Sequence, residues 1–160
     1  MIIRKATKAD YIELLKLLEA FYVGFNRGQL FPEKFSKFEA YKNMNEVLKQ
    51  TTSNYLNDNK YIVFVADNGE NLDGYICGVI KEKEHKIFDK EGCIEDWFVK
   101  ESVRKKGVGS VLYKALVKEF RLHKCTHLAI ESYAFNVSAL AFYRKLGFID
   151  KSMRLIKNID

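Results

Sequence analysis

The sequence predicts an α/β domain built on a mixed sheet, and three observations carry that reading. Short apolar runs rich in Val, Ile, Tyr and Phe alternate with longer runs whose apolar residues recur every three or four positions, in the order β-α-α-β-β-β-α-β-α-β. The joints between runs are rich in Gly, Asn and Asp, as turns require. The 160 residues are 48% hydrophobic, which suits one core and leaves little room for a second, so a single domain over 1–160 is expected.

Ile2 and Ile3 begin a short strand. Thr7 with Asp10 reads as a capping box opening a helix that carries Ile12, Leu15, Leu18 and Phe21/Tyr22 on one face. From Pro32, the single proline, to about Leu56, the residues Phe35, Phe38, Tyr41, Met44, Val47/Leu48 and Tyr55 keep helical spacing, and this stripe reads as core. Tyr61–Ala66 and Tyr75–Ile80 are two strands joined by the turn-rich link Asp67–Asp73. A charged stretch from Lys81 to Gly92 leads into a third strand, Cys93–Val99. A glycine loop comes next, then a helix on Val108, Val111, Leu112, Ala115 and Leu116, a strand over Thr126–Tyr133 and a last helix from Asn136. There is no internal repeat and no low-complexity segment.

Composition narrows the function classes. No apolar run approaches the roughly 20 residues of a membrane span, and the N-terminus lacks a secretory pattern, so no membrane association and a cytoplasmic location are the expectations. Cys77, Cys93 and Cys125 are far apart, with no C-x-x-C pair, and read as small buried hydrophobes. His85, His123 and His127 are scattered, so no metal is implied. The formal charge of +6 invites a nucleic-acid reading. The charge is uneven, however. Eight Lys/Arg against two Glu lie between Lys100 and Lys124, an excess equal to that of the whole chain. Lys114, Lys118 and Arg121 there read as a solvated helix face. No RNA-binding aromatic strand motif or zinc-finger spacing is present, which disfavours a nucleic-acid partner.

The stretch Arg104-Lys105-Lys106-Gly107-Val108-Gly109-Ser110 combines three cations, two glycines and a helix start behind an apolar strand. Glycine admits φ > 0 and close backbone approach, and the first amides of the helix are unpaired donors at the positive end of a dipole. That chemistry suits a pyrophosphate, although a plain loop-to-helix turn would use the same residues. Two other nucleotide loops fit less well: Ser110-Val111 comes after Gly109 where a Walker loop has Lys-Ser/Thr, and Leu112 stands where a dinucleotide loop has glycine or alanine.

The pattern Arg-x-x-Gly-x-Gly over Arg104–Gly109, with Asn-x-x-Ala-x-x-Phe-Tyr-x-x-Leu-Gly-Phe over Asn136–Phe148, resembles the GNAT superfamily of acetyl-coenzyme A dependent N-acetyltransferases. Residues 93 to 148 carry the resemblance. It implies a mixed sheet of about six or seven strands flanked by about four helices. It also implies acetyl-coenzyme A as cofactor, and a fourth and fifth strand that splay apart so that the pantetheine arm pairs with backbone groups of Trp97, Phe98 and Val99. Arg104, Lys105, Lys106, Gly107, Val108, Gly109 and Ser110 would hold the pyrophosphate, and Asn136 would lie beside the cofactor arm. Capping of the last helix is a second explanation of Asn136.

Acetyl transfer to an amine needs a deprotonated nitrogen, a stabilised oxyanion and a proton for the departing thiolate. An alkyl ammonium titrates near about 10.4, so a base must act first, directly or through water. Glu95 and Asp96 stand in an otherwise apolar strand, where unpaired carboxylates are costly to bury. Adjacent residues face opposite sides, so at most one faces any one pocket. Ile-Glu-Asp-Trp-Phe-Val resembles the matching strand of the spermidine/spermine acetyltransferase branch, which points to Glu95 as the catalytic carboxylate. A salt bridge or a solvated strand end would equally explain Glu95. The resemblance makes Tyr143 the proton donor, while Phe142 reads as core. The backbone amide of Phe98 or Val99 would hold the oxyanion, and Glu131 lines the acceptor side or joins a cross-strand ion pair.

The acceptor is expected to be a primary amine, small and cationic. A protein or peptide amine, an acyl-coenzyme A binding regulator without turnover and a basic nucleic-acid-binding module are the alternatives. Only twelve residues come after Phe148, so a final hairpin would be short and a homodimer could complete the site.

Overall fold

The computed structural model describes residues 1–26, 41–157 and 159. Arg4 of strand β1 (Ile2–Lys5) donates to both carboxylate oxygens of Asp10 at 2.8 and 2.7 Å and to Asp67 at 2.9 Å, which fastens the strand at both of its flanks. Asp10 also accepts from the Thr7 amide at 2.7 Å and the Thr7 hydroxyl at 3.0 Å, so the predicted capping box forms. The turn Lys8–Asp10 runs on into helix α1 (Tyr11–Asn26).

Leu14, Leu17 and Leu18 form the buried stripe of α1, and the predicted Ile12 is 61% exposed. Apolar residues crowd this helix, so several faces satisfy the 3.6 period, and docking selects one of them. Helix α2 (Met44–Asn57) is capped by Asn43, whose Oδ1 accepts from the Glu46 amide at 3.4 Å. That cap explains why helix begins at Met44 and leaves Tyr41 outside it. Pro32, Phe35 and Phe38 of the predicted stripe lie outside the described residues.

Strands β2 (Tyr61–Asp67), β3 (Leu72–Glu82), β4 (Lys90–Val99) and β5 (His127–Ile130) complete a sheet in the order β1-β2-β3-β4-β5. The first three pairings are antiparallel and β4–β5 is parallel. The link between β2 and β3 closes on Asn68, whose Oδ1 accepts from the amides of Glu70 and Asn71 at 3.0 and 2.9 Å. Tyr75 and Cys77 of β3 join Val63 and Val65 against Leu14, Leu17, Leu18, Leu48 and Tyr55 of α1 and α2.

Successive residues point to opposite faces, and Gly78 accordingly meets helix α3 (Val108–Leu122) on the other side. A methyl group at Gly78 would lie 2.5 Å from Phe120, and one at Gly92 would lie 2.6 Å from it. Two glycines on β3 and β4 thus make the space that the Phe120 ring fills. Cys77 and Cys93 are buried, as the sequence predicts, while Cys125 is only partly buried; all three are free thiols.

The chain divides into two compact units, Met1–Ile130 and Glu131–Asp160. The second contains helix α4 (Val137–Lys145). The described residues thus form a mixed α/β fold with four α-helices and five strands, where six or seven strands were predicted. No strand forms among the described residues after Phe148, so the short final hairpin is corrected. A strand needs a partner edge, and the described residues of this unit offer none.

Candidate active site

The parallel pairing of β4 with β5 runs from Glu91↔His127 to Ile94↔Ile130 and stops there. Among the described residues, β4 pairs with β3 alone beyond Ile94. Cys77 lies opposite Asp96 and Gly78 opposite Ile94, so Glu95 is an extra residue, a bulge at the point where the second neighbour is lost. An extended ligand can pair along a strand edge past the point where its neighbouring strand ends. Trp97, Phe98 and Val99 occupy that segment, each partly buried. Trp97 stacks on Tyr113 of α3 with ring centroids 5.4 Å apart and planes 11° off parallel.

The chain then makes a 3₁₀ turn over Glu101–Val103 and enters the glycine loop. Gly107 has φ 85° and caps α3, and Lys105 before it also lies in the left-handed region at φ 62°. At Gly107 only glycine is free of strain. Gly109 has no such backbone, and a methyl group there would make ordinary contact with Trp97 at 3.5 Å. The first backbone bond of α3 runs from the Val111 amide to the Gly107 carbonyl, at 3.1 Å. The amides of Val108, Gly109 and Ser110 precede it and lie at the positive end of the helix. Arg104, Lys105 and Lys106 are exposed around them. Arg104 donates Nε to the Val99 carbonyl at 3.0 Å, and its guanidinium lies 5.8 Å from the centre of the Phe98 ring. The loop is therefore fastened to the open end of β4, and the donor set fits a polyphosphate.

The two strand carboxylates differ sharply. Glu95 is exposed, with Oε1 3.2 Å from Lys81 Nζ on β3. The ion-pair explanation of Glu95 is thus realised, and a surface pair of this kind holds its partners weakly. Asp96 is buried, its Oδ2 accepting from the Tyr55 hydroxyl at 2.6 Å and the Tyr75 hydroxyl at 3.3 Å. Burial pushes the Asp96 carboxyl up, against the lowering effect of the two hydroxyls. Burial first, and then the carboxylate, push both phenols well above their ordinary range, so they remain donors. Sequence reasoning set Asp96 aside and missed this trio. Its signal was the same one that marked Glu95, a carboxylate in an apolar run.

In the second unit Asn136 Oδ1 accepts from the Ala139 amide at 3.3 Å, so the predicted cap of α4 is present. Leu146-Gly147-Phe148 also has a physical role. Gly147 takes φ 94°, its amide bonds to the Arg144 carbonyl at 3.0 Å, and the Phe148 amide bonds to the Tyr143 carbonyl at 3.1 Å. This is a Schellman closure, with the Phe148 ring edge-on to Tyr143 at 6.2 Å. The last residue of the motif thus turns back onto the predicted proton donor. Burial pushes the Tyr143 phenol above 10. Phe142 is 38% exposed, which corrects its reading as core: the helix turns that face outward. Glu131 is exposed.

Residues 17–148 match the family model described as the acetyltransferase (GNAT) family. The chain belongs to that family. It is an acetyltransferase by that membership, and the match spans both units of the chain. No curated protein sequence matches closely enough to count as a relative. Solved structures share the fold. The BH1408 protein from Bacillus halodurans, as a tetramutant, superposes with a TM-score of 0.81 at 22% identity, over 99% of this chain and 100% of its own. An aminoglycoside antibiotic 6'-N-acetyltransferase, AAC(6')-IG from Acinetobacter haemolyticus, gives 0.72 at 19%, over 100% of each chain. A predicted acetyltransferase with acetyl-CoA from Clostridium acetobutylicum gives 0.73 at 16%, over 99% of this chain and 96% of its own. At these identities the likeness is one of fold. Among the described residues, no helix of this GNAT acetyltransferase is long and apolar enough to cross a membrane, and no group of three His, Cys, Asp or Glu is placed to hold a metal.

Proposed function

We propose that the chain, acting as one catalytic domain over 1–160, transfers an acetyl group from acetyl-coenzyme A to a small cationic primary amine by direct attack. The observation that carries this reading is the end of β4–β5 pairing at Ile94, succeeded at once by the cationic loop and the N-terminus of α3. The acetyl thioester of the cofactor supplies the group to be moved.

Arg104, Lys105 and Lys106 with the amides of Val108, Gly109 and Ser110 hold the pyrophosphate. Trp97, Phe98 and Val99 present backbone groups to the extended arm, and the Phe98 or Val99 amide stabilises the developing oxyanion. Glu95 takes the ammonium proton, directly or through water, after Lys81 gives it up. Tyr143 gives its proton to the departing thiolate. Asn136, already a cap, borders the arm.

Two features support the choice of acceptor. The local similarity of Ile94–Val99 to the polyamine branch is one, and the exposed carboxylate of Glu95 near a basic loop is the other. A cationic acceptor is drawn by Glu95 and repelled by the unliganded loop, so binding is ordered with cofactor first. A cytoplasmic setting and a homodimer belong to the same reading, and sedimentation of the purified chain tests the dimer.

The deciding experiment measures thiol release from acetyl-coenzyme A with spermidine, lysine, an aminoglycoside and a lysine-containing peptide at two ionic strengths. Release with the small cations, falling as salt rises, is expected. Activity on the peptide alone would replace the acceptor class. Cofactor binding with no release for any amine would leave a regulator in place of an enzyme.

A further inference from the structure

The trio Tyr55, Asp96 and Tyr75 joins three elements at one carboxylate oxygen: α2 through Tyr55, β3 through Tyr75 and β4 through Asp96. All three residues are buried. Neither partner can be given up cheaply. A buried carboxylate without donors, or two buried phenols without an acceptor, would each lose hydrogen bonds that water cannot replace.

The trio also sits at one particular place in the strand. Asp96 comes immediately after Glu95, the extra residue of the bulge, and is the first residue of β4 back in step with β3, opposite Cys77. A one-residue slip of β4 would turn Asp96 out of the core and bring Glu95 or Trp97 to the two hydroxyls. Trp97 cannot accept their hydrogen bonds, and glutamate is longer by a methylene than the site now filled. The hydroxyls therefore recognise a short acceptor at one register alone. In that register Glu95 is turned to solvent and the segment Trp97–Val99 lies past the end of the β4–β5 pairing.

We infer that Asp96 is a positioning residue for acetyl transfer, held by Tyr55 and Tyr75 so that the bulge forms at Glu95 and the open segment of β4 begins directly after it. The inference rests on the acetyltransferase reading and on the role given there to Glu95. It assigns Asp96 no contact with either substrate.

The test uses the full chain and the variants Tyr55→Phe, Tyr75→Phe and Asp96→Asn. Amide hydrogen exchange is read residue by residue, and turnover is read with whichever amine of the panel reacts fastest. In Tyr55→Phe the amides of Glu95–Val99 are expected to exchange about tenfold faster while those of β2 and of Glu91–Ile94 keep their protection. Turnover number is expected to fall about tenfold with KM for the amine within about twofold, the pattern of lost alignment rather than lost binding. Tyr75→Phe, which gives up only the longer bond, should show the same pattern more weakly and stands in if Tyr55→Phe does not fold. Exchange that rises uniformly over the sheet with an unchanged turnover number would make the trio merely structural and overturn the inference. So would a raised KM at constant turnover number, which would make Asp96 an acceptor ligand. A wild-type chain that turns over no amine overturns the enzymatic reading itself, and this inference with it.

Discussion

Tyr143 and Gly107 are single residues whose replacement separates chemistry from binding. Tyr143→Phe removes one hydroxyl and keeps the ring that Phe148 packs against. Fold and cofactor affinity should persist while turnover falls, since general acid catalysis is worth about 10²–10⁴-fold. An unchanged rate with chemistry shown to be rate-limiting would return Tyr143 to a packing role. Gly107→Val places a branched side chain at φ 85°, a strain of about 1–3 kcal/mol confined to the turn before α3. The domain should stay folded and the cofactor should bind more weakly by calorimetry. Unaltered affinity would remove the loop from the pyrophosphate site. Glu95→Gln cannot accept the ammonium proton, so the rise of activity with pH should change shape, and an identical profile would assign Glu95 to its ion pair with Lys81.

Between elements, the decisive fit is the Phe120 ring of α3 over Gly78 and Gly92. A methyl group at Gly92 would lie 2.6 to 2.9 Å from three ring atoms. Overpacking of this kind costs about 1–3 kcal/mol, so Gly92→Ala should lower the midpoint of urea unfolding without altering its slope. Combining it with Phe120→Leu should restore part of the loss, because the smaller side chain vacates the clash. Strict additivity of the two losses would show that the contact is not what glycine is there for.

For the molecule as a whole, two described carboxylates held far below their ordinary range contribute to stability that acid removes. Arg4 holds Asp10 at about 2, against an opposing effect of burial and with help from Thr7. Burial acts to raise Glu91, yet Lys83, Cys93 and His127 together bring it to about 2. Both groups titrate lower in the folded chain than their ordinary 3.8 and 4.5. Their stabilisation is therefore complete above about 4.5 and is lost as pH falls towards 2. Melting temperatures taken from pH 7 to 2 should drop through that window, and Arg4→Gln should flatten the drop. Cofactor acts in the opposite sense. Acetyl-coenzyme A at one hundred times its dissociation constant should stabilise the native state by about 2.7 kcal/mol, and no thermal shift at millimolar cofactor would contradict the proposed site.

The sequence by itself determined the α/β class, the order of the described elements, the Thr7–Asp10 capping box, the left-handed turn before α3, the cap at Asn136 and the family. These are local properties: periodicity, cap chemistry and glycine at positive φ are written in neighbouring residues. Tertiary structure decided the rest. Which stripe of α1 is buried, that Ile12 and Phe142 face outward, and that five strands form among the described residues depend on partners distant in sequence. The contrast between Glu95 and Asp96 is of the same kind. Both are acids in one apolar run, and nothing local distinguishes them. A bulge against β3, a lysine fourteen positions earlier and two tyrosine hydroxyls from α2 and β3 turn one outward and seal the other in, because the cost of a buried carboxylate is settled by the donors that the fold brings to it.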